Sequence, residues 1–181
     1  MKNKKIGIIA AIITLGLITT YSISSYVGMK QYYEYSEENY KYTMDTLYER
    51  NAMIISNKDI LIDNIPNIKK NVNEVENLVD NEKNGMDINE GIALSNKIEE
   101  NVTTIINEYK QNNTAKSNKQ LNTVMEEIIL LDQSGHDNQS IFNQSVNDKR
   151  TGYNGLINKN ILTKQVAKIT KMDKINEFLS E

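Results

Sequence analysis

His136 and Asp132 come nearest to chemistry in this 181-residue sequence. Four residues apart on a helix, an imidazole and a carboxylate share one side and could offer two ligands to a metal ion. A structural or catalytic metal site needs three or four such groups, and the chain has one histidine and no cysteine. The local sequence therefore predicts a plain, solvent-exposed His136. Glu99-Glu100 and Glu126-Glu127 raise the idea of a carboxylate-bridged metal between helices. Such sites take a Glu-x-x-His from each of two helices, a repeat absent from the sequence, so both pairs read as charged, solvated faces. No serine sits in a Gly-x-Ser-x-Gly setting, and neither Gly-x-x-x-x-Gly-Lys nor Gly-x-Gly-x-x-Gly is present to cradle phosphate. No catalytic residue, metal ligand or cofactor is expected. Glycosylation sequons at Asn101, Asn112, Asn138 and Asn143 are what an Asn-rich chain produces by chance.

The elements that must position these side chains begin with an apolar leader. Residues 6–28 are uncharged and mostly apolar or small, and they follow Lys2, Lys4 and Lys5. At about 1.5 Å per residue they reach across a hydrocarbon core of about 30 Å. The strongly apolar part, Ile6 to Ile18, is only of signal-peptide length, so secretion after cleavage is the competing reading. Ser22-Ile23-Ser24 is a poor cleavage site, and the lack of cysteine excludes a lipoprotein. Tyr21, Tyr26, Tyr32, Tyr33 and Tyr35 cluster where the helix leaves the bilayer, as an interfacial belt does. The expectation is a retained single-pass anchor in the lipid bilayer. The positive-inside rule puts residues 1–5 in the cytoplasm and the remainder outside.

All 24 acidic residues but only 18 of the 21 basic ones follow the anchor. This acidic body has no general pull on nucleic acid or anionic lipid, and without cysteine it relies on core packing. It reads as a helical-bundle domain over 30–158, followed by a C-terminal amphipathic segment over 159–181.

Apolar positions recur at three- and four-residue steps, the mark of amphipathic helix. The first stripe uses Met44, Leu47, Tyr48, Ile54, Ile55, Leu61 and Ile62, interrupted by Asn51. Pro66 predicts a break, with Asp63 or Asn64 as the cap of the next helix. That helix carries Ile68, Val72, Val75, Leu78 and Val79, and a turn is expected over Asn81 to Gly85. Asp87-Ile88-Asn89-Glu90 predicts a capping box, opening a helix that buries Ile88, Ile92, Ile98, Val102, Ile105, Ile106 and Tyr109. After a polar connection over Gln111 to Asn118, a fourth helix uses Leu121, Val124, Met125, Ile128 and Leu131. Ser134-Gly135 could end it, although Ile141, Phe142, Val146, Tyr153, Leu156 and Ile157 resume in step. A last segment sets Leu162, Val166, Ile169, Met172 and Leu179 on one face. No window alternates long enough for a strand. The fold class expected is all-α, an N-terminal transmembrane helix followed by an antiparallel four-helix bundle.

Asp63-Asn64-Ile65-Pro66-Asn67-Ile68 resembles the Asp-Leu-Ile-Pro-Asn-Leu signature of the LemA family, whose members carry an N-terminal anchor and a four-helix bundle. Phe142-Asn143-Gln144-Ser145-Val146-Asn147-Asp148 is similar to that family's Tyr-Asn-Glu-Ala-Val-Arg-Asp. Val124-Met125-Glu126-Glu127-Ile128 falls on its Leu-Gln-Glu-Glu-Leu stretch, and Val166-Ala167 with Phe178 fit its hydrophobic tail. The family's tryptophan in the first helix has no counterpart, Asn51 lying near its place. Ile60-Leu61 stand where it has paired arginines, and Lys149-Arg150 replace the Tyr-Asn that closes its second motif. The gap-free match implies one fourth helix from about Lys116 to Asn158, with Gly135 inside it. The resemblance implies structural roles for Asp63, Asn64, Ile65, Pro66, Asn67, Ile68, Phe142, Asn143, Val146 and Asp148. It implies no reaction. The expected function is that of an interaction or scaffold protein at the outer face of the cytoplasmic membrane. Its expected partners are the bilayer and another envelope protein, and self-association is compatible with the layout. A ligand-sensing helical domain is the alternative.

Overall fold

Helix α1 (Lys2–Ser56) runs unbroken from the N-terminal lysines through the apolar leader and on into the polar part of the chain. This is a computed structural model, and it describes residues 2–80 and 86–179. The remaining helices are α2 (Lys58–Asn64), α3 (Lys69–Asp80), α4 (Ile88–Gln111), α5 (Lys119–Asn147), α6 (Tyr153–Ile157) and α7 (Ile161–Thr170), with 3₁₀ turns at Pro66–Ile68 and Ala115–Ser117. Among the described residues there is no strand, so the chain is all-helical. The apolar part of α1 is long and hydrophobic enough to cross a membrane: one 18-residue window has mean hydropathy 1.4 and none of it is buried.

The chain divides into two compact units, one of residues 1–36 with 144–175 and the other of 37–143 with 176–181. The second holds the larger core. Ile54, Leu61, Ile65, Ile68, Val72 and Val75 meet Ile98, Val102, Ile105, Ile106, Leu121, Met125 and Ile128 in one apolar cluster. These are largely the three- and four-step positions of the sequence. A helix in water gains little from propensity alone, and burying such stripes supplies most of its stability.

Local signals explain several boundaries. Asp87 accepts a hydrogen bond from the Glu90 amide at 2.9 Å, and Glu90 Oε2 accepts from the Asp87 amide at 3.3 Å, completing the expected box. Pro66 opens the 3₁₀ turn as its first residue, where its missing N–H costs nothing. Neither Asp63 nor Asn64 caps the next helix. Both belong to the end of α2, and the Asn64 amide donates back to the Ile60 carbonyl at 2.8 Å. The turn expected over 81–85 lies outside the described residues.

Two further expectations are corrected. The fourth helix does not reach Asn158 but stops at Asn147. Asp148 Oδ1 accepts from the Arg150 and Thr151 amides at 2.7 and 2.8 Å, a local turn that competes with helical pairing. These two amide bonds also hold the Asp148 carboxyl below its ordinary pKa. Gly135, by contrast, lies inside α5, where a Cβ would fall 2.7 Å from Leu47 Cδ2. Its helix-propensity cost of about 1 kcal/mol is the cost of that close approach.

The last segment is not one amphipathic face ending at Leu179. Helix α7 ends at Thr170, where Lys171 turns left-handed with φ 56° and the Met172 amide reaches back to the Ala167 carbonyl at 2.9 Å. Thr163 and Ala167 form its buried side, whereas Ile169 is 81% exposed.

Residues beyond α7 are held by asparagine side chains. In the first unit, Asn154 accepts from the Ile175 amide at 3.1 Å and donates to its carbonyl at 2.7 Å. In the second unit, Asn143 accepts from the Phe178 amide and donates to its carbonyl, at 3.0 Å each. Asn89 accepts from the Asn176 amide and Asn96 from the Leu179 amide. A primary amide carries a donor and an acceptor side by side, so it can pair an extended peptide as a neighbouring strand would.

Candidate functional site

In the second unit, α1, α4 and α5 bring a charged cluster into the interior. Arg50 is fully buried, and its Nη1 lies 2.8 Å from Glu99 Oε2 and 2.6 Å from Asp132 Oδ1. Its Nε and Nη2 both point to Asn51 Oδ1 at 3.3 Å. Asn51, the interruption in the first apolar stripe, thereby fixes the guanidinium from its own helix. A buried arginine needs its charge matched and its nitrogens hydrogen-bonded; the two carboxylates supply the charge, and the three acceptors together engage all three nitrogens.

Arg50 takes one oxygen from each carboxylate and leaves the other free. Those remaining atoms face the single histidine: His136 Nε2 lies 3.4 Å from Glu99 Oε1 and 3.6 Å from Asp132 Oδ2. Helical spacing places Asp132 and His136 on the same side of α5, and the Glu99 carboxylate comes from α4. The three ligand atoms all lie within 4.8 Å of one another. Glu99 Oε1 is buried and has no hydrogen-bond partner.

The sequence reading of these residues differs from their setting. Glu99, read as part of a solvated face, has a side chain only 7% exposed, and His136, read as freely exposed, is 26% exposed. Glu100, Glu126 and Glu127 are exposed, as a charged face requires. Arg50 does not stand out in the sequence. An arginine followed by an asparagine within an apolar stripe is its only signal, and that is too common to single out.

A cleft of about 560 Å³ opens beside the cluster, lined by Gln133, His136, Asp137, Gln139, Ser140 and Asn143, with Glu177 and Leu179. Gln139 is 3% exposed, and its Oε1 also lacks a hydrogen-bond partner.

The residues of the LemA-like motifs lie elsewhere. Ile65 and Ile68 are core side chains, Asp63, Pro66 and Asn67 are exposed, and Asn64 accepts from the Asn118 amide at 2.8 Å. Phe142 is buried edge-on against Phe178 at 5.1 Å, with Tyr40 6.2 Å away. Val146 and Asp148 belong to the first unit, as a buried side chain and as the turn acceptor. Searches of protein-family models, curated proteins and solved structures give no match to this chain.

Proposed function

We propose that this chain is a membrane-anchored helical-bundle protein of LemA type, acting as an interaction or scaffold protein at the outer face of the cytoplasmic membrane. The observation that carries the reading is the apolar part of α1, where an 18-residue window lying after residue 9 has mean hydropathy 1.4 and none of it is buried. In water such a surface would cost roughly 25 cal/mol per Å² of apolar area, and a bilayer removes that cost. The three lysines before it favour an N-terminus on the cytoplasmic side. In the first unit, Asn160 Nδ2 donates to the Tyr21 hydroxyl, so one of the expected interfacial tyrosines also holds chain that lies after α5. The exposed amide-rich helix faces, held close to the bilayer, would be the surface another envelope protein binds.

Crosslinking in intact membranes followed by affinity recovery tests the reading. Recovery of one specific envelope protein supports it, and recovery of none under several growth conditions argues against it. The mass of the membrane-extracted protein separates a retained anchor from a cleaved leader. A second reading, a ligand-sensing helical domain, draws on the cleft beside His136. It requires a small molecule that raises the thermal stability of the full chain.

A further inference from the structure

We propose that Glu99, Asp132 and His136 form a binding site for a divalent first-row transition ion, with Zn²⁺ the fitting member of that class. The inference stands on the charged cluster alone and does not depend on how the chain meets the membrane.

Geometry comes first. A tetrahedral zinc ion with bonds of about 2.1 Å separates its ligand atoms by about 3.4 Å. The distances from His136 Nε2 to the two carboxylate oxygens are 3.4 and 3.6 Å. At these separations neither contact forms an aligned hydrogen bond, yet both suit two edges of a coordination tetrahedron.

The second observation is independent of the clustering. Glu99 Oε1 is a buried carboxylate oxygen with no hydrogen-bond partner, and it points at the imidazole. Burying such an acceptor unpaired costs about 1–3 kcal/mol or more, and an ion seated between the three atoms would satisfy it.

Charge and ligand type then select the occupant. One guanidinium stands against two carboxylates, so these three side chains alone carry one negative charge in excess. A nitrogen ligand disfavours Ca²⁺ and Mg²⁺, which take oxygen ligands, and suits zinc and its neighbours. Arg50, itself held by Asn51, keeps the two carboxylates in place behind the ion. The fourth coordination position falls to water or an exogenous ligand, since three protein ligands leave one vertex open.

Because the chain has a single histidine, the imidazole can be observed without ambiguity. The full-length chain, made without a polyhistidine tag and labelled with ¹⁵N-histidine, is titrated with Zn²⁺. Equilibrium dialysis should give one ion per chain, and the ring ¹⁵N resonances of His136 should both move, Nε2 because it takes the ion and Nδ1 because the ring proton settles there. Substitution of Co²⁺ should produce the intense visible absorption of a tetrahedral centre. His136→Gln, which leaves Arg50 paired, should keep the helical circular dichroism and bind Zn²⁺ at least about tenfold more weakly. Glu100→Gln, at the exposed neighbouring carboxylate, should bind as the wild type does. Less than one ion per chain, uptake that leaves the His136 resonance unmoved, or unchanged affinity in His136→Gln would each overturn the proposal.

Discussion

Asn143 holds Phe178 by both of its backbone groups, donating to the carbonyl and accepting from the amide at 3.0 Å each. Both residues stand out in the sequence, the first within a motif and the second as a closing hydrophobe, but nothing there joins them. The pairing lets Phe178 bury its ring against Phe142 while its backbone remains hydrogen-bonded.

Asn143→Asp should therefore destabilise the second unit. A carboxylate can accept from the Phe178 amide but cannot donate to its carbonyl, so one part-buried bond is lost. The expected cost is about 1–2 kcal/mol, read from chemical unfolding. Hydrogen exchange at the Phe178 amide should rise as well. Equal protection in the variant would show that the amide clamp does not hold the tail.

Arg50→Met should cost more, about 3–5 kcal/mol, because it strands the Glu99 and Asp132 carboxylates in the interior. The triple replacement Arg50→Met, Glu99→Leu, Asp132→Leu should recover much of that loss, since a buried ion network can often be exchanged for apolar packing. Urea unfolding of both variants separates the cases. A single variant as stable as the wild type would contradict a buried, uncompensated charge.

Gly91→Ala tests the approach of Tyr40 to α4. A Cβ at this position would overlap the Tyr40 hydroxyl, and Tyr40 is itself stacked on Phe178 at 6.3 Å. Overpacking of this kind costs about 1–3 kcal/mol, which outweighs the helix propensity gained from alanine. In a Tyr40→Phe background the penalty should shrink, because the overlapping oxygen is gone. Additive effects of the two changes would refute the contact.

Alkaline pH should weaken the first unit through Tyr153. Burial, reinforced by Tyr33 and Asp173, pushes its phenol up to about 12, against about 10 in an unfolded chain. The folded state thus favours the protonated form. Its contribution is complete below pH 10 and disappears as pH rises through 12, amounting to roughly 2–3 kcal/mol. Tyr153→Phe loses the hydroxyl bond to the Asp173 carbonyl and should flatten the pH dependence of stability between 10 and 12. The same slope in both proteins would assign it to another group.

Periodicity and punctuation carried a great deal. The stripes through Ile98, Val102, Ile105 and Leu121, Met125, Ile128 are core residues, the Asp87 box forms, and Pro66 stands at the start of its turn. These features are local: a 3.6-residue repeat, a cap and a fixed φ act within a few residues. The same local rules misjudged the last segment, where Ile169 stayed in phase with a helical face but was left in solvent. An apolar side chain in register is buried only if another element arrives to cover it.

By itself, then, the sequence determined an all-helical chain with an apolar leader and an acidic body, because helix periodicity, hydropathy and charge are written in adjacent residues. Only the tertiary structure decided the charged cluster and the asparagine clamps. Arg50 meets Glu99 across 49 positions and Asp132 across 82. A charge on an isolated helix is solvated. It becomes buried, paired and able to shape a site only when distant segments pack around it and take its water away.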